Sequence, residues 1–192
     1  MKMNRRKALV GITSGGLGLV FFSGYKWYDW NRKPNLEQLQ GKQEMINELA
    51  ELIIPGTDTP GAIEAQVGKV VVDLITSCAD RKTQNRFMNG LIDLEKKALA
   101  LHGKNFPECS NEEKHGLLTE VENHDMKLDG FIGKASKKMF GKSFFRTLRD
   151  YTSIAFCTSE LGASKSLNYV LVPGKYMGCI PLEKDQPSWT TE

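Results

Sequence analysis

Beyond residue 35, apolar side chains recur every three or four positions through most of the chain, the period of helices that bury one face. Met45, Ile46, Leu49, Leu52 and Ile53 share one such face, and the helix carrying them is expected to run from Asn35 or Leu36 to Ile54. Pro55-Gly56 ends it, and Thr57-Asp58-Thr59-Pro60-Gly61 forms a turn-rich loop. Val67, Val70, Val71, Leu74, Ile75 and Cys78 make the buried stripe of a second helix. Asp80 is placed to cap a third, in which Phe87, Leu91, Leu94, Ala98 and Leu101 repeat until His102-Gly103 stops it. After a loop at Phe106–Cys109, Ser110 and Glu113 have the capping-box spacing for a fourth. Its apolar face, Leu117, Leu118 and Val121, gives way to a polar stretch at 123–129. The basic segment Phe131–Phe140 reads as irregular or as a short helix. Phe144, Leu148, Tyr151 and Ala155 then mark a helix that runs to about Leu161, with Gly162 as its stop.

The tail from Tyr169 to Trp189 carries Pro173, Gly174, Gly178, Pro181 and Pro187 and is expected to be irregular. Tyr169–Val172 is its only strand candidate. These elements predict an all-α, bundle-like domain of five or six helices with an irregular C-terminal arm.

The start of the chain is different. Lys2, Arg5, Arg6 and Lys7 precede the uncharged run Ala8–Tyr25, which leads into Lys26-Trp27-Tyr28-Asp29-Trp30. This pattern predicts an export signal or an N-terminal anchor. Arg5-Arg6 ahead of a Gly-rich apolar segment suits twin-arginine export, which moves folded proteins; an ordinary secretory signal is the other reading. No small-x-small cleavage site follows. A helix over the run would be roughly 27 Å long, just short of a ~30 Å hydrocarbon core. Flanking aromatics and the leading positive charges favour an uncleaved anchor with the body outside the cytoplasm, while its glycines weaken it. The expected organisation is a signal or anchor over 1–30, a tether over 31–43, a helical domain over 44–183 and a flexible tail over 184–192.

Charge supports that division. The 192 residues hold 26 Lys+Arg and 23 Asp+Glu, and four of the basic residues lie in the first 25. The remainder is near neutral and lacks the basic footprint of a nucleic-acid binder.

Little in the sequence carries chemistry alone. His102, His115 and His124 are the only histidines and no two share metal-ligand spacing. His124-Asp125 is the one pair near a metal motif, and solvated polar residues are its simpler reading. The cysteines at 78, 109, 157 and 179 lack zinc, iron–sulfur or haem-attachment spacing. Outside the cytoplasm they could form disulfides, with three pairings open; Cys78 and Cys157 also fit buried thiols on apolar helix faces. Ser159 and Glu160 are adjacent without a nearby histidine, so hydrogen bonding at a helix end or contact with a partner suits them better than catalysis.

Three peptides exceed what turns require. Ile53-Ile54-Pro55-Gly56-Thr57-Asp58-Thr59-Pro60-Gly61-Ala62, Thr158-Ser159-Glu160-Leu161-Gly162-Ala163 and Val172-Pro173-Gly174-Lys175-Tyr176-Met177-Gly178-Cys179-Ile180-Pro181 together resemble the gluconate 2-dehydrogenase subunit 3 family. The resemblance covers roughly Leu49 to Pro181 and extends to the helix with Asp73 and Cys78 and the one with Phe144 and Phe145. It implies a noncatalytic small subunit, without a cofactor of its own, of a membrane-associated sugar or sugar-acid dehydrogenase. It further implies a glucose-methanol-choline type flavoprotein partner holding FAD, and often a cytochrome c subunit as electron acceptor. Small subunits of this kind commonly carry a twin-arginine signal for both chains, which Arg5 and Arg6 match; that places the complex on the periplasmic face of the bacterial inner membrane. Pro55, Asp58, Thr59, Pro60, Gly61, Ser159, Glu160, Gly162, Pro173, Gly174, Tyr176 and Gly178 are the candidate partner contacts, the alternative being that these turns only cap and pack the domain's own ends. A stand-alone anchored scaffold and a small oxidoreductase are the competing functions.

Overall fold

The computed structural model describes residues 32–127 and 142–170, then 172, 174, 175, 178, 179, 181, 184 and 186–190. The signal or anchor with Arg5 and Arg6, the segment Phe131–Phe140, Pro173 and Tyr176 lie outside them. Among the described residues there are six α-helices, and no helix there is long and apolar enough to cross a membrane.

The first expected helix is two, α1 (Leu36–Gln40) and α2 (Gln43–Ile53). Gly41 and Lys42 turn the chain between them, with Lys42 N–H donating to Leu39 O at 3.1 Å. Leu39 is fully buried and α1 packs on the helix that follows α2, so ordered structure begins within the stretch expected to be a tether. The Asn85 side-chain amide also holds the Arg32 carbonyl at 2.8 Å.

Helix α3 (Val67–Ser77) buries Val67, Val71 and Ile75 as its period requires. The other edge of its stripe differs from expectation: Val72 is buried, while Val70 and Cys78 are exposed. The cause is the approach of α2. A side chain at Gly68 would overlap the Asn47 side chain, and this close packing turns the buried face towards Gly68, Val72 and Ile75.

In α4 (Arg81–His102), the Asp80 carboxylate accepts the Thr83 N–H at 3.2 Å, the cap the sequence predicted. Gly103, at φ 67°, ends the helix in a left-handed conformation that suits a residue without Cβ. Phe87, Leu91, Leu94 and Ala98 are buried, but Leu101 passes the edge of the core and is exposed. Buried Gln84 donates to the Ile75 and Thr76 carbonyls at 2.9 and 3.1 Å, satisfying the end of α3 from the next helix.

A 3₁₀ turn at Phe106–Glu108 leads to α5 (Asn111–Lys127). Its capping box is complete: Ser110 N–H donates to Glu113 Oε2 at 2.7 Å and Glu113 N–H to Ser110 Oγ at 3.3 Å. The helix continues through the polar stretch from Asn123, because Asp125 has a tertiary task. Its carboxylate accepts the Phe145 N–H at 3.3 Å and so caps the next helix. Arg86 lies near this carboxylate; partial burial lowers its pKa and the charge of Asp125 opposes that shift.

Helix α6 (Phe144–Cys157) is central, packing on α2, α3, α4 and α5. Phe144 meets Phe87 with ring centroids 5.2 Å apart, seated over Gly90, where a Cβ would collide with the ring. The chain then turns at Thr158-Ser159 and winds through one wide turn, Gly162–Ser166. Among the described residues the extended pairing is at Asn168, just before the expected Tyr169–Val172 stretch: Asn168 pairs with Trp189, its N–H donating to Ser188 O at 2.9 Å. This brings the described end of the tail back to the domain.

Candidate docking site

The Pro55–Gly61 loop is organised by a residue the sequence reading passed over. Glu51 stands, partly buried, in the last turn of α2. Oε1 accepts the Gly56 N–H and Oε2 the Ile63 N–H, each at 2.8 Å. Charge-assisted bonds of this kind contribute roughly 1–2 kcal/mol where water still competes. The Ala62 N–H closes the neck on Ile54 O at 3.0 Å, and Thr57 N–H donates to Thr59 O at 3.0 Å across the tip. Gly61 is buried beneath the carboxylate; a Cβ there would come 2.5 Å from Glu51 Oε1 and from Gly56 N. Pro55, Asp58 and Thr59 are exposed and Pro60 is partly so. One signal for Glu51 was available, since an acid in the last turn opposes the helix dipole and implies a partner elsewhere.

The second peptide closes on itself in the same way. Ser159 Oγ donates to Phe156 O at 2.7 Å and accepts the Gly162 N–H at 2.9 Å. Gly162 does not stop a helix, contrary to expectation. It is buried in the wide turn so close to Phe156 that a Cβ would lie 2.0 Å from that carbonyl oxygen, a distance no side chain tolerates. Glu160 is exposed, and its carbonyl accepts the Ser164 hydroxyl at 2.6 Å. Of the third peptide, Gly174 and Gly178 are described and exposed. The structure thus builds two hydrogen-bonded turns, and among the described residues no hydrogen bond joins them.

The remaining candidates sit apart. His124 is exposed on α5, and its neighbour Asp125 is taken by the α6 cap. His102 Nδ1 lies 3.4 Å from Glu113 Oε1. His115 lines a cleft of about 240 Å³ with Leu52, Ile53, Leu118, Phe145 and Arg149. No three His, Cys, Asp or Glu among the described residues are grouped to hold a metal ion. All four cysteines stand as free thiols. Cys78 and Cys157 are exposed rather than buried, because each falls at a helix C-terminus beyond the packed turns. Cys109 is the buried one; its Sγ faces Asn105 O at 3.5 Å, and burial pushes the thiol pKa up.

Among the described residues the chain is an all-α bundle from which the Pro55–Thr59 turn stands exposed in a hydrogen-bonded shape. The sequence profile of gluconate 2-dehydrogenase subunit 3 matches residues 40–174, and the chain belongs to that family of small subunits of a dehydrogenase complex. The match includes both hydrogen-bonded turns and ends at Gly174. No curated relative and no solved structure shows a significant match.

Proposed function

We propose that this chain is the noncatalytic small subunit of a periplasmic, membrane-associated sugar or sugar-acid dehydrogenase. It binds and stabilises a flavoprotein large subunit of the glucose-methanol-choline type, which holds the FAD, and carries it through twin-arginine export. A cytochrome c subunit is a further partner in this arrangement. The observation that carries the reading is family membership over residues 40–174. The exposed, preformed turn at Pro55–Thr59 supports it, as does Arg5-Arg6 at the head of an uncharged run.

The test is gentle affinity purification of the full chain from the native membrane fraction, read by gel and visible absorption. A large co-purifying polypeptide with a flavin spectrum is expected. A colourless single chain, under conditions that keep other membrane complexes intact, refutes the assignment. Replacing Arg5-Arg6 with Lys-Lys tests the export step: both chains are expected to stay in the cytoplasm, and normal delivery of either rules the twin-arginine route out.

A further inference from the structure

Residues Pro55–Gly61 leave the neck between Ile54 and Ala62 and return to it. The connection from α2 to α3 gains nothing from the excursion, because the neck bond already joins its two ends. From Pro55 to Thr59 every residue is exposed, and none enters the core. Surface segments that contribute no packing are usually the loosest parts of a domain. This one is held by the two Glu51 bonds, the neck bond and the Thr57–Thr59 bond, with proline fixing φ at positions 55 and 60. Such closed excursions are often functional, and a preformed one loses little entropy when it binds.

We propose that Glu51 is the positioning residue of a docking turn, whose tip Pro55–Thr59 seats on the large subunit of the dehydrogenase complex. The inference rests on the accessory-subunit reading above. The tip presents the Thr57 and Thr59 hydroxyls, the Asp58 carboxylate and the Pro55 ring, and no Lys or Arg occurs between Lys42 and Lys69. Ile63, whose amide the same carboxylate holds, is itself 48% exposed at the foot of the turn. The surface that fits is a shallow apolar patch bordered by hydrogen-bond donors, with Arg or Lys opposite Asp58.

The experiment uses the full chain co-expressed with its large subunit. A photo-crosslinking residue in place of Thr57 or Thr59 is expected to give a covalent adduct with the large subunit. The same residue in place of Lys96, whose side chain is 72% exposed on α4, serves as the control and is expected to give none. No adduct from 57 or 59 in a complex that still co-purifies overturns the docking turn while leaving the accessory-subunit reading intact. Absence of the large subunit from the unmodified preparation overturns both, and the missing band tells the cases apart.

Glu51→Ala tests the positioning role. Amide exchange at Gly56 and Ile63 is expected to quicken and association to weaken at least tenfold, while the melting temperature moves by only a few degrees. Glu51→Gln, which keeps an acceptor for one of the two N–H groups, is expected to recover part of the affinity. Wild-type affinity in Glu51→Ala despite faster exchange removes the positioning role. Crosslinking needs no change at Glu51, so the docking turn stays testable even if Glu51→Ala fails to fold.

Discussion

Lys114 and Glu48 form a pair whose two members are unequally covered, and that inequality yields a directional prediction. The Lys114 side chain is 6% exposed and that of Glu48 33%; Nζ lies 3.0 Å from Oε2, joining α5 to α2 across 66 residues of sequence. Glu48→Ala leaves a largely buried cation without its partner, which costs about 3–5 kcal/mol. Lys114→Ala strands a carboxylate that rehydrates where it stands, so the loss is chiefly packing of the lysine stem, about 1–2 kcal/mol. Lys114→Met keeps the stem and removes the buried charge, and it is expected to be within about 1 kcal/mol of wild type. At roughly 3–4 °C per kcal/mol, Glu48→Ala lowers Tm by about 10 °C or more and Lys114→Ala by about half that or less. Far-ultraviolet circular dichroism during thermal and urea unfolding of the full chain reads all three. A Glu48→Ala variant no less stable than Lys114→Ala refutes the reasoning, because it would mean the ammonium is solvated.

Two further outcomes are expected. The Glu113 pKa is lowered, first by the Ser110 N–H donated to its carboxylate and then by the charge of Lys104. A carboxyl with a depressed folded pKa stabilises above its unfolded value and loses that contribution as pH falls through the folded one. The capping box of α5 is therefore expected to weaken below the ordinary glutamate range, about pH 4.5, and Glu113→Ala to flatten this part of the acid limb in pH-dependent melts; an unchanged limb discards the role. In the isolated chain, Cys78, Cys157 and Cys179 are expected to react with a thiol reagent before Cys109, whose burial keeps it protonated. Mass spectrometry of the partly modified protein checks this, and early labelling of Cys109 contradicts it.

The elements that were legible in the sequence are those whose determinants lie close together along the chain. Asp80 caps Thr83, Ser110 and Glu113 bond one another, and Gly103 ends a helix whose last residue is its neighbour. The spacing of apolar residues gave each helix a stripe but not the direction of its neighbour, so Val70 and Cys78 were expected inside and Val72 was not. The residues missed are those whose partners are remote: Gln84 reaches back 9 residues, Asp125 forward 20, Asn85 back 53. The candidate site divides in the same manner. Its proline- and glycine-rich peptides stood out, whereas the carboxylate that shapes the first one acts on Ile63, 12 residues away. The Gly41–Lys42 break was missed because one glycine within a helical period is a weak signal, and only the burial of Leu39 on α3 fixes it.

The central place of α6 also sets a timetable. The helix that contacts α2, α3, α4 and α5 is the last long one to be synthesised, and its final residue is Cys157. Ribosomes add about 5–20 residues per second, so on the order of ten seconds separates the emergence of residue 30 from that of the segment that closes the core. Until then α2–α5 lack the one helix on which all four pack, and the nascent chain is unfinished as a folding unit. A leader read by machinery that accepts only folded cargo would have to remain unengaged for that interval. The position of one helix in the chain would thereby impose on delivery a delay that no feature of the leader itself encodes.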